Sequence, residues 1–262
     1  MIKVGIIGGS GIDILNILEN SKSLKVHTPY GATSGIVKTG QIKNVDVVII
    51  TRHGPNHSIK PTLINYRANI YAMKKLRVTH IIAPTACGSL RKKYKPGELV
   101  FIDQFIDRTS KRKQSFYEGT QVCHIPMAEP FCFELRNVLK ETAQELNISH
   151  HEKGTMVTIE GPRFSTRAES KMFRLWGGDT INMTTVPEAV LAREAGICYS
   201  AIAMVTDYDC WHESEESVTL NKVLATMKKN ADNVLKLILE SIPKIHPAEN
   251  CFCPHDIKTS LL

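Results

Sequence analysis

The sequence lacks a long apolar run, and no stretch approaches the roughly 20 apolar residues that a membrane-spanning helix needs. The first residues, MIKVGIIGGSG, also lack the small-residue cleavage site that ends a secretory leader. We interpret them as the first strand of a folded domain. We therefore expect a cytoplasmic protein with no membrane contact.

Cysteine is too irregularly placed for a disulfide scaffold. The chain has seven cysteines in 262 residues, and an odd count without a secretory context argues against a fully paired set. No Cys/His spacing is typical of a zinc site, so the sequence predicts no metal centre.

Modules that recognise nucleic acid are also missing. A formal charge of +7 and a pI near 9.0 would suit an anionic partner. However, the basic residues are spread along the chain, and the densest group, SKRKQ at 110–114, is short. Because no zinc finger, helix-turn-helix pattern or aromatic RNA-binding signature is visible, we expect no nucleic-acid partner. The basic charge is better explained by surface solubility or by steering of phosphate.

Linkers, internal repeats and low-complexity segments are absent as well. With 42% hydrophobic and 23% charged residues, the composition is that of a globular protein, and the length suits one large domain. We predict a single domain over residues 1–246 and an irregular, cysteine-containing tail over 247–262.

The sequence does contain Val- and Ile-rich runs that alternate with helical stretches, which predicts an α/β fold with helices layered on both faces of a parallel or mixed sheet. We expect helices at about 62–76, 130–146, 166–176 and 187–195, the last beginning at Pro187. A long amphipathic helix follows, with its Lys and Asn positions facing water. The predicted strands are KVGIIGG, VDVVIIT, HIIAPTA, ELVFIDQF, GTMVTIEG and YSAIAMVTD. The apolar stripe of the long helix is Leu220, Val223, Leu224, Met227, Ala231, Val234, Leu235 and Ile238.

Small and polar residues follow three of the predicted strands. The strands end in Gly8–Gly11, which includes Ser10, in Thr51–Gly54 and in Thr85–Ser89. Glycine lets a ligand approach the backbone closely, and arginine can donate two parallel hydrogen bonds to phosphate. The Gly-Gly-Ser-Gly run alone is neither a P-loop nor a dinucleotide fingerprint, so the joint placement carries the prediction of an oxyanion site.

The last predicted strand ends in VTDYDCW, which places Asp207 two residues before Asp209. Side chains at this spacing in a strand point to the same side. The pair could accept hydrogen bonds from a ligand, or one acid could have a raised pKa and donate a proton. A turn or helix N-cap is the alternative, and no third ligand is spaced to support a metal.

Longer strings carry a resemblance to a known family. IEGPRFSTRAES, INMTTVPEAVLAREAGICYSAIAMVTDYDCW, PTACGSL, QSFYEG and CHIPMAEPFC resemble the 5′-methylthioadenosine phosphorylases of the trimeric purine nucleoside phosphorylase superfamily, over residues 3 to about 245. The resemblance implies the nucleoside phosphorylase fold, with a partly barrel-like mixed sheet. It also implies cleavage of 5′-methylthioadenosine by phosphate to adenine and 5-methylthioribose 1-phosphate, with adenosine as a further substrate.

The same resemblance implies no cofactor, since inorganic phosphate is a co-substrate, and a homotrimer or a dimer of trimers. It implies that the backbone of Met183 binds the ribose hydroxyls, that Phe164 stacks near the purine and that Asn182 also binds the substrate. Without the resemblance, core packing would explain Phe164 and Met183. The implied phosphate-binding residues are Ser10, Arg52, His53, Thr85, Ala86 through its backbone, and Thr184.

The resemblance gives the two acids separate roles. Asp207 would be the general acid at purine N7, and Asp209 would accept a hydrogen bond from the 6-amino group. His124 would reach the site from a neighbouring subunit. An apolar wall for the methylthio group would come from the start of the long helix, although these residues also belong to its apolar stripe: Leu220, Val223 and Leu224.

Two questions stay open at this level. A 6-oxopurine or broad-specificity nucleoside phosphorylase is the alternative function, and a non-catalytic nucleotide-binding or nucleic-acid-binding protein is a more distant one. Cys132 and Cys198 match positions suited to a disulfide in archaeal relatives. Cys251 and Cys253 could close a small disulfide or remain two free thiols in the tail.

Overall fold

The computed structural model describes residues 2–9, 17–212, 220–248 and 251–261, with the side chains of 220–225 outside the description. Within these ranges the chain forms an α/β fold around one mixed sheet of eleven strands, as predicted. No helix in these ranges has both the length and the apolar character required to cross a bilayer. The strands are β1 Lys3–Gly8, β2 Glu19–Leu24, β3 Val37–Ile42, β4 Val45–Thr51, β5 His80–Ser89, β6 Leu99–Phe101, β7 Gln104–Arg108, β8 His150–His151, β9 Thr155–Ile159, β10 Thr180–Asn182 and β11 Cys198–Tyr208.

Part of the sheet closes on itself, which gives the predicted barrel-like character. β5 pairs with β11, β11 with β6, β7 with β9, β9 with β10, and β10 with β5. Two residues between β6 and β7 complete the circuit, because Ile102 donates its backbone N–H to Ala201 and Asp103 donates to Gly154. β1, β4, β3 and β2 extend the sheet outward from β5.

The long strand β5 is where the sheet divides. Its first residues, His80–Ile82, pair with β1, whereas its last residues, Gly88 and Ser89, pair with β10. On its other edge β11 runs parallel to it throughout. The strands on the first edge therefore separate beside Pro84–Cys87, and a crevice at the carboxyl ends of diverging strands is where α/β proteins bind ligands.

Helices cover both faces of the sheet because alternate strand residues point to opposite sides. In β1, Ile7 belongs to the core beneath α1 and α4, and Ile6 belongs to the core beneath α2 and α5. Both side chains are fully buried. The helices are α1 Tyr66–Lys75, α2 Phe133–Glu145, α3 Arg167–Leu175, α4 Thr185–Glu194, α5 Leu220–Ser241 and α6 Cys253–Thr259, with short 3-10 turns at Pro55–His57, Pro61–Leu63 and Ile242–Lys244.

The predicted helices and buried strands are confirmed within a few residues. Val186 lies outside the helical conformation, so regular helix in α4 begins at Pro187 as expected. The run predicted as one strand at 98–105 divides into β6 and β7 because its two ends pair with different partners. In α5 the described part of the stripe is buried or half-buried, but Asn230 is buried too, so its predicted exposure was wrong.

Four strands and one helix were not predicted. β2 is fully exposed and reads ENSKSL, so it has no apolar alternation to detect. β3, β8 and β10 are short or half-buried, and tertiary pairing decides them. The tail was expected to be irregular, but it forms α6, which packs on α4. Cys253 at its first position is buried, and this burial anchors the helix.

Candidate functional site

Residues from three strand ends meet in the crevice beside β5. Gly9 follows β1, and a Cβ added there would lie 2.7 Å from Nη1 of Arg52 and 2.9 Å from the carbonyl oxygen of Pro84. Only glycine fits this contact without displacing backbone. We call the group formed by Gly9, Arg52, His53, Thr85 and Thr184 the strand-end pocket.

Arg52 is buried and largely occupied by protein acceptors. Its Nε and Nη2 each donate to the carboxylate of Glu188 at 2.8 Å, Nη1 donates to the Pro84 carbonyl, and Nη2 donates to the Ile7 carbonyl. Burial disfavours the charge on Arg52, but the ion pair and hydrogen bond with Glu188 outweigh it and raise the pKa of Arg52. Four of its five N–H groups are therefore committed, and one on Nη1 remains for a ligand.

His53 is buried beside Arg52 and is neutral near pH 7. Burial lowers the pKa of His53 to about 4, and the hydrogen bond to the backbone at Ile59 opposes this shift. The Nδ1 atom lies 2.9 Å from the carbonyl oxygen of Ile59, which can only accept, so Nδ1 carries the proton. The His57 ring stacks on His53 at 4.0 Å. Nε2 is thus a hydrogen-bond acceptor.

Buried hydroxyl groups form the opposite wall of the pocket. The hydroxyls of Thr85 and Thr184 lie 3.4 Å apart. Asn182 donates to the Thr85 hydroxyl at 3.0 Å and to Thr185 at 2.7 Å, and its Oδ1 accepts from Thr158. A network of buried polar groups with its partners in place holds these side chains in fixed positions. Ala86 follows Thr85 on β5 and is half-buried.

The two predicted acids lie at the same end of β5. A Cβ added at Gly88 would lie 3.2 Å from Oδ1 of Asp207 and 3.4 Å from Cβ of Asp209. A bulge in β11 between Val205 and Asp207 shifts the register, and Asp207 pairs with Gly88. The absence of a side chain at Gly88 leaves space in front of both acids.

Asp207 and Asp209 differ in their surroundings. Thr206 donates its hydroxyl to Oδ2 of Asp207 at 2.5 Å, which fixes the orientation of that half-buried carboxylate. Asp209 is buried, with 7% of its surface exposed, and burial raises the pKa of Asp209. Its Oδ2 has no hydrogen-bond partner among the described residues. A buried acceptor without a partner is costly, and a ligand that donates a hydrogen bond would satisfy it.

The segment that contains Phe164 runs between the strand-end pocket and Asp209. A Cβ added at Gly161 would lie 2.5 Å from Sδ of Met183, and at the other end the Cys210 thiol donates to the Ser165 carbonyl at 3.3 Å. Met183 is half-buried, whereas the Phe164 ring is 69% exposed. Phe164 is therefore not a core residue, and its ring is available to a ligand.

The other predicted site residues are Ser10, His124 and three residues at the start of α5. Ser10 and the side chains of Leu220, Val223 and Leu224 lie outside the described residues. His124 is exposed, and its backbone N–H donates to the carbonyl of Ser260 in the C-terminal segment.

A cavity of about 500 Å³ lies elsewhere, at the amino end of β5. It is lined by His80, by four residues of α2 and by Ile245, His246 and Pro247, which follow the 3-10 turn after α5. None of the predicted site residues within the described ranges lines it. We take the strand-end pocket as the candidate site because ligand-binding polar groups converge there.

The chain matches a family model described as the phosphorylase superfamily over residues 3–243. The chain belongs to the phosphorylase superfamily. S-methyl-5′-thioadenosine phosphorylase of Danio rerio is 59% identical over 249 residues, which cover 93% of this chain and 89% of the relative. The enzyme of that name from Pyrococcus furiosus is 53% identical over 259 residues, 99% of each chain.

Solved structures agree with this membership. Methylthioadenosine phosphorylase from Schistosoma mansoni in complex with adenine has a TM-score of 0.93 and 40% identity, covering 99% of this chain and 97% of that one. A mutant of the Schistosoma mansoni adenosine/methylthioadenosine phosphorylase in complex with methylthioadenosine has a TM-score of 0.92 and 38% identity, covering 99% and 98%. The predicted nucleoside phosphorylase fold is confirmed.

Two residues of this phosphorylase-superfamily chain were missed by sequence reasoning. Glu188 neutralises Arg52, and its only signal was a lone acid in the otherwise apolar VPEAV. Asn230 donates to the Val205 carbonyl at 2.9 Å, directly before the bulge that carries Asp207. It resembled a solvent-facing polar residue, because a helical period alone does not reveal a buried amide.

Proposed function

We propose that the protein catalyses the phosphate-dependent cleavage of 5′-methylthioadenosine to adenine and 5-methylthioribose 1-phosphate. The observation that carries the proposal is the meeting of two acids, Asp207 and Asp209, with the strand-end pocket across β5. Relatives named S-methyl-5′-thioadenosine phosphorylase at 53% to 59% identity support the choice of substrate.

In this proposal the strand-end pocket binds phosphate. The hydroxyls of Thr85 and Thr184, the remaining N–H of Arg52 and the backbone at Ala86 donate to phosphate oxygens, together with Ser10. Because Nε2 of His53 is an acceptor, it takes a hydrogen bond from the P–OH group of hydrogen phosphate. The pocket therefore suits phosphate in its protonated form, and Glu188 offsets the charge of Arg52 when no anion is bound.

The base lies against the acids on the far side of Gly88. Asp209 accepts a hydrogen bond from the 6-amino group through its unpartnered Oδ2, and Asp207 donates a proton to N7. Phe164 covers the flat face of the purine, which aromatic stacking favours. Asn182 and Met183 lie between the two halves of the site, where the sugar would bind.

The reaction then balances within these groups. A phosphate oxygen bonds to the anomeric carbon as the bond from that carbon to N9 breaks, and the electron pair passes into the purine. Asp207 delivers its proton to N7. Hydrogen phosphate loses one proton when it becomes the sugar phosphate, and that proton replaces the one that Asp207 has given up. The negative phosphate stabilises the cationic sugar of the transition state electrostatically. The proposal requires no cofactor, because phosphate is consumed as a co-substrate.

The identity of the base follows from the acceptor character of Asp209. An adenine presents a hydrogen-bond donor at position 6, whereas hypoxanthine and guanine present an acceptor there. A site built to receive a donor discriminates against such an analogue by roughly four powers of ten. This argument favours adenine nucleosides over the 6-oxopurine alternative.

The complete site requires more than one chain in this proposal. Large apolar side chains are exposed on the single chain, among them Phe133 at 66% and Leu175 at 87%. Exposed apolar surface of this kind is typical of subunit contacts. We include a homotrimer or a dimer of trimers, with His124 entering a neighbour's site and Leu220, Val223 and Leu224 forming the methylthio wall. Light scattering on the purified cytoplasmic protein would check the assembly.

The test is release of free base from methylthioadenosine, adenosine and inosine, assayed in parallel with and without phosphate. We expect strong release from methylthioadenosine, weaker release from adenosine and almost none from inosine, all dependent on phosphate. In Asp209→Asn the amide can donate a hydrogen bond to a 6-oxo group. The rate of base release from inosine, relative to that from methylthioadenosine, should therefore rise by roughly tenfold or more.

The exposed acid Asp232 on α5 provides the matched control, and Asp232→Asn should keep the wild-type preference. Inosine as the best wild-type substrate would overturn the assignment of the acids. Absence of release from all three nucleosides would overturn the proposed activity.

A further inference from the structure

Four cysteines that are far apart in the sequence meet at one place. Cys132 precedes α2, Cys198 begins β11, and Cys251 and Cys253 lie at the start of α6. Their four Sγ atoms all lie within 4.8 Å of one another, and all four residues are buried. All seven cysteines of the chain are unbonded thiols in the structure. The cluster therefore brings the tail and the core together at one group of buried sulfur atoms, beside the contact of α6 with α4.

This cysteine cluster lies away from the candidate active site. Cys198 pairs with His80 at the amino end of β5, whereas Asp207 pairs with Gly88 at its carboxyl end. Asp207 lies nine positions after Cys198 in β11, which is roughly 30 Å at the usual rise of a strand. A role in the cleavage of a nucleoside does not explain four buried thiols at this distance.

The arrangement has the dimensions of a tetrahedral metal site. A zinc–sulfur bond of about 2.3 Å places four tetrahedral sulfur ligands roughly 3.8 Å apart. All six sulfur–sulfur separations in the cluster fall under the 4.8 Å limit, and Cys198 and Cys251 are 3.3 Å apart. Small closing movements would bring all four sulfurs to one cation. Thiolates select soft metals, and a closed set of four is typical of structural zinc.

Arg193 donates a hydrogen bond into the cysteine cluster. From α4 its Nη1 donates to Sγ of Cys253 at 2.9 Å, and its Nη2 pairs with Asp256 of α6 at 2.9 Å. Arg193 is itself buried, with 7% of its surface exposed. Four thiolates around a divalent cation leave a net negative charge, and a hydrogen bond from the Arg193 guanidinium, whose charge is shared with Asp256, would stabilise the Cys253 thiolate. Hydrogen bonds of this outer kind orient ligands and tune metal sites.

We propose that Cys132, Cys198, Cys251 and Cys253 bind one zinc ion, which fixes the C-terminal helix α6 to the core. Each zinc–sulfur bond replaces a thiol proton, so binding releases protons and is weakened by acid. No sequence pattern predicts this site, because its ligands come from segments more than fifty residues apart, with the exception of the two tail cysteines.

Disulfides are the competing use of the same four sulfurs. The pairs considered from the sequence, Cys132 with Cys198 and Cys251 with Cys253, would each close within the core or within the tail. The structure instead brings a core cysteine and a tail cysteine, Cys198 and Cys251, to 3.3 Å. A divalent metal uses all four sulfurs together and requires no oxidant. Disulfide formation among these cysteines therefore stays a prediction, and the following experiment tests it.

The test begins with the full-length protein, purified without added chelator, and measures zinc by mass spectrometry of the metal and disulfides by intact mass. We expect about one zinc per chain and the mass of a chain with no disulfide. Replacement of zinc by Co²⁺ should give the thiolate charge-transfer and tetrahedral ligand-field absorption of a sulfur-bound cobalt ion. Both readouts are independent of enzymatic activity.

Variants locate the metal. Cys132→Ser and Cys253→Ser should each lose zinc, and Arg193→Gln should weaken zinc affinity by roughly tenfold to a hundredfold. Cys123→Ser, which changes a cysteine outside the cluster, is the control and should keep its metal. The proposal is overturned by intact mass that reveals disulfides among these cysteines, by four free thiols that take up neither Zn²⁺ nor Co²⁺, or by zinc retained in both cluster variants. The first two of these results are measured on the wild-type chain. The proposal can therefore be overturned even if a variant fails to fold.

Discussion

The most constrained residue in the candidate site is Arg52, and its partner explains why. Arg52 is 1% exposed and Glu188 is fully buried, and two hydrogen bonds of 2.8 Å join them. The Tyr199 hydroxyl donates to the same carboxylate at 2.9 Å. A buried charge left without its partner is costly, so the pair is a structural requirement whatever ligand the pocket binds.

Removing the negative charge from this pair should destabilise the protein and strengthen its response to phosphate. We expect Glu188→Gln to lower the free energy of unfolding by about 3 kcal/mol, because the guanidinium is left without a counter-charge. Phosphate should restore more stability in the variant than in the wild type. Urea unfolding with and without phosphate measures both effects.

The exposed residue Glu141 on α2 offers a matched control, and Glu141→Gln should change the free energy of unfolding by less than about 0.5 kcal/mol. A Glu188→Gln protein as stable as the wild type would mean that Arg52 finds its compensation elsewhere.

At the scale of elements, the contact between α5 and β11 positions the catalytic candidate. Asn230 donates to the Val205 carbonyl, and its own Oδ1 is buried without a partner among the described residues. A buried amide whose oxygen makes no hydrogen bond contributes little to stability. Its place one residue before the bulge suggests that it holds the backbone that presents Asp207.

Replacing this amide should therefore affect turnover more than stability. We expect Asn230→Leu to lower kcat by roughly tenfold to a hundredfold, since small displacements of a reacting group have effects of this size. The KM for phosphate should change little, because the strand-end pocket is built from the ends of β1 and β4, from β5 and from the residue before α4, whereas Asn230 bonds to β11. Steady-state kinetics with each substrate varied separately gives both constants.

Asn233 on the same helix provides the comparison, and Asn233→Leu should retain the wild-type kcat. If Asn230→Leu raised the KM for phosphate and left kcat unchanged, Asn230 would affect phosphate binding and not the position of Asp207, which would contradict the prediction.

For the whole molecule, a buried neutral histidine links stability to pH. The folded-state pKa of His53 is about 4, below its ordinary value of 6.5, because burial, Arg52 and His57 all disfavour its protonated form. The unfolded chain consequently takes up the proton first as the pH falls. The contribution is fully present above pH 6.5 and is lost as the pH falls toward 4.

We expect the wild type to lose up to about 3 kcal/mol of stability over this range through His53 alone. His53→Asn should lack that part of the pH dependence, while His246→Asn, which changes an exposed histidine, should follow the wild type. Urea unfolding in phosphate-free buffer between pH 7 and pH 4 would measure the difference. Parallel pH profiles for wild type and His53→Asn would contradict the buried neutral state of His53.

Local pattern and local chemistry were enough to predict several features of this protein from its sequence. Val- and Ile-rich runs predicted the buried strands, the apolar stripe predicted α5, and long strings such as VTDYDCW led to the family. The residues at the strand ends, including Arg52 and His53, followed from the rule that ligands bind where parallel strands end. Each of these signals lies within a short stretch of chain, so it could be found without coordinates.

Features that depend on contacts between distant residues became visible in the folded structure. The division of β5 between β1 and β10, the ion pair of Arg52 with Glu188 and the amide contact of Asn230 join residues at least 25 positions apart. The cysteine cluster arises in the same way, because folding places the tail against β11 and α2. Sequence pattern cannot specify such contacts, since burial and hydrogen-bond partners are set by how the elements pack.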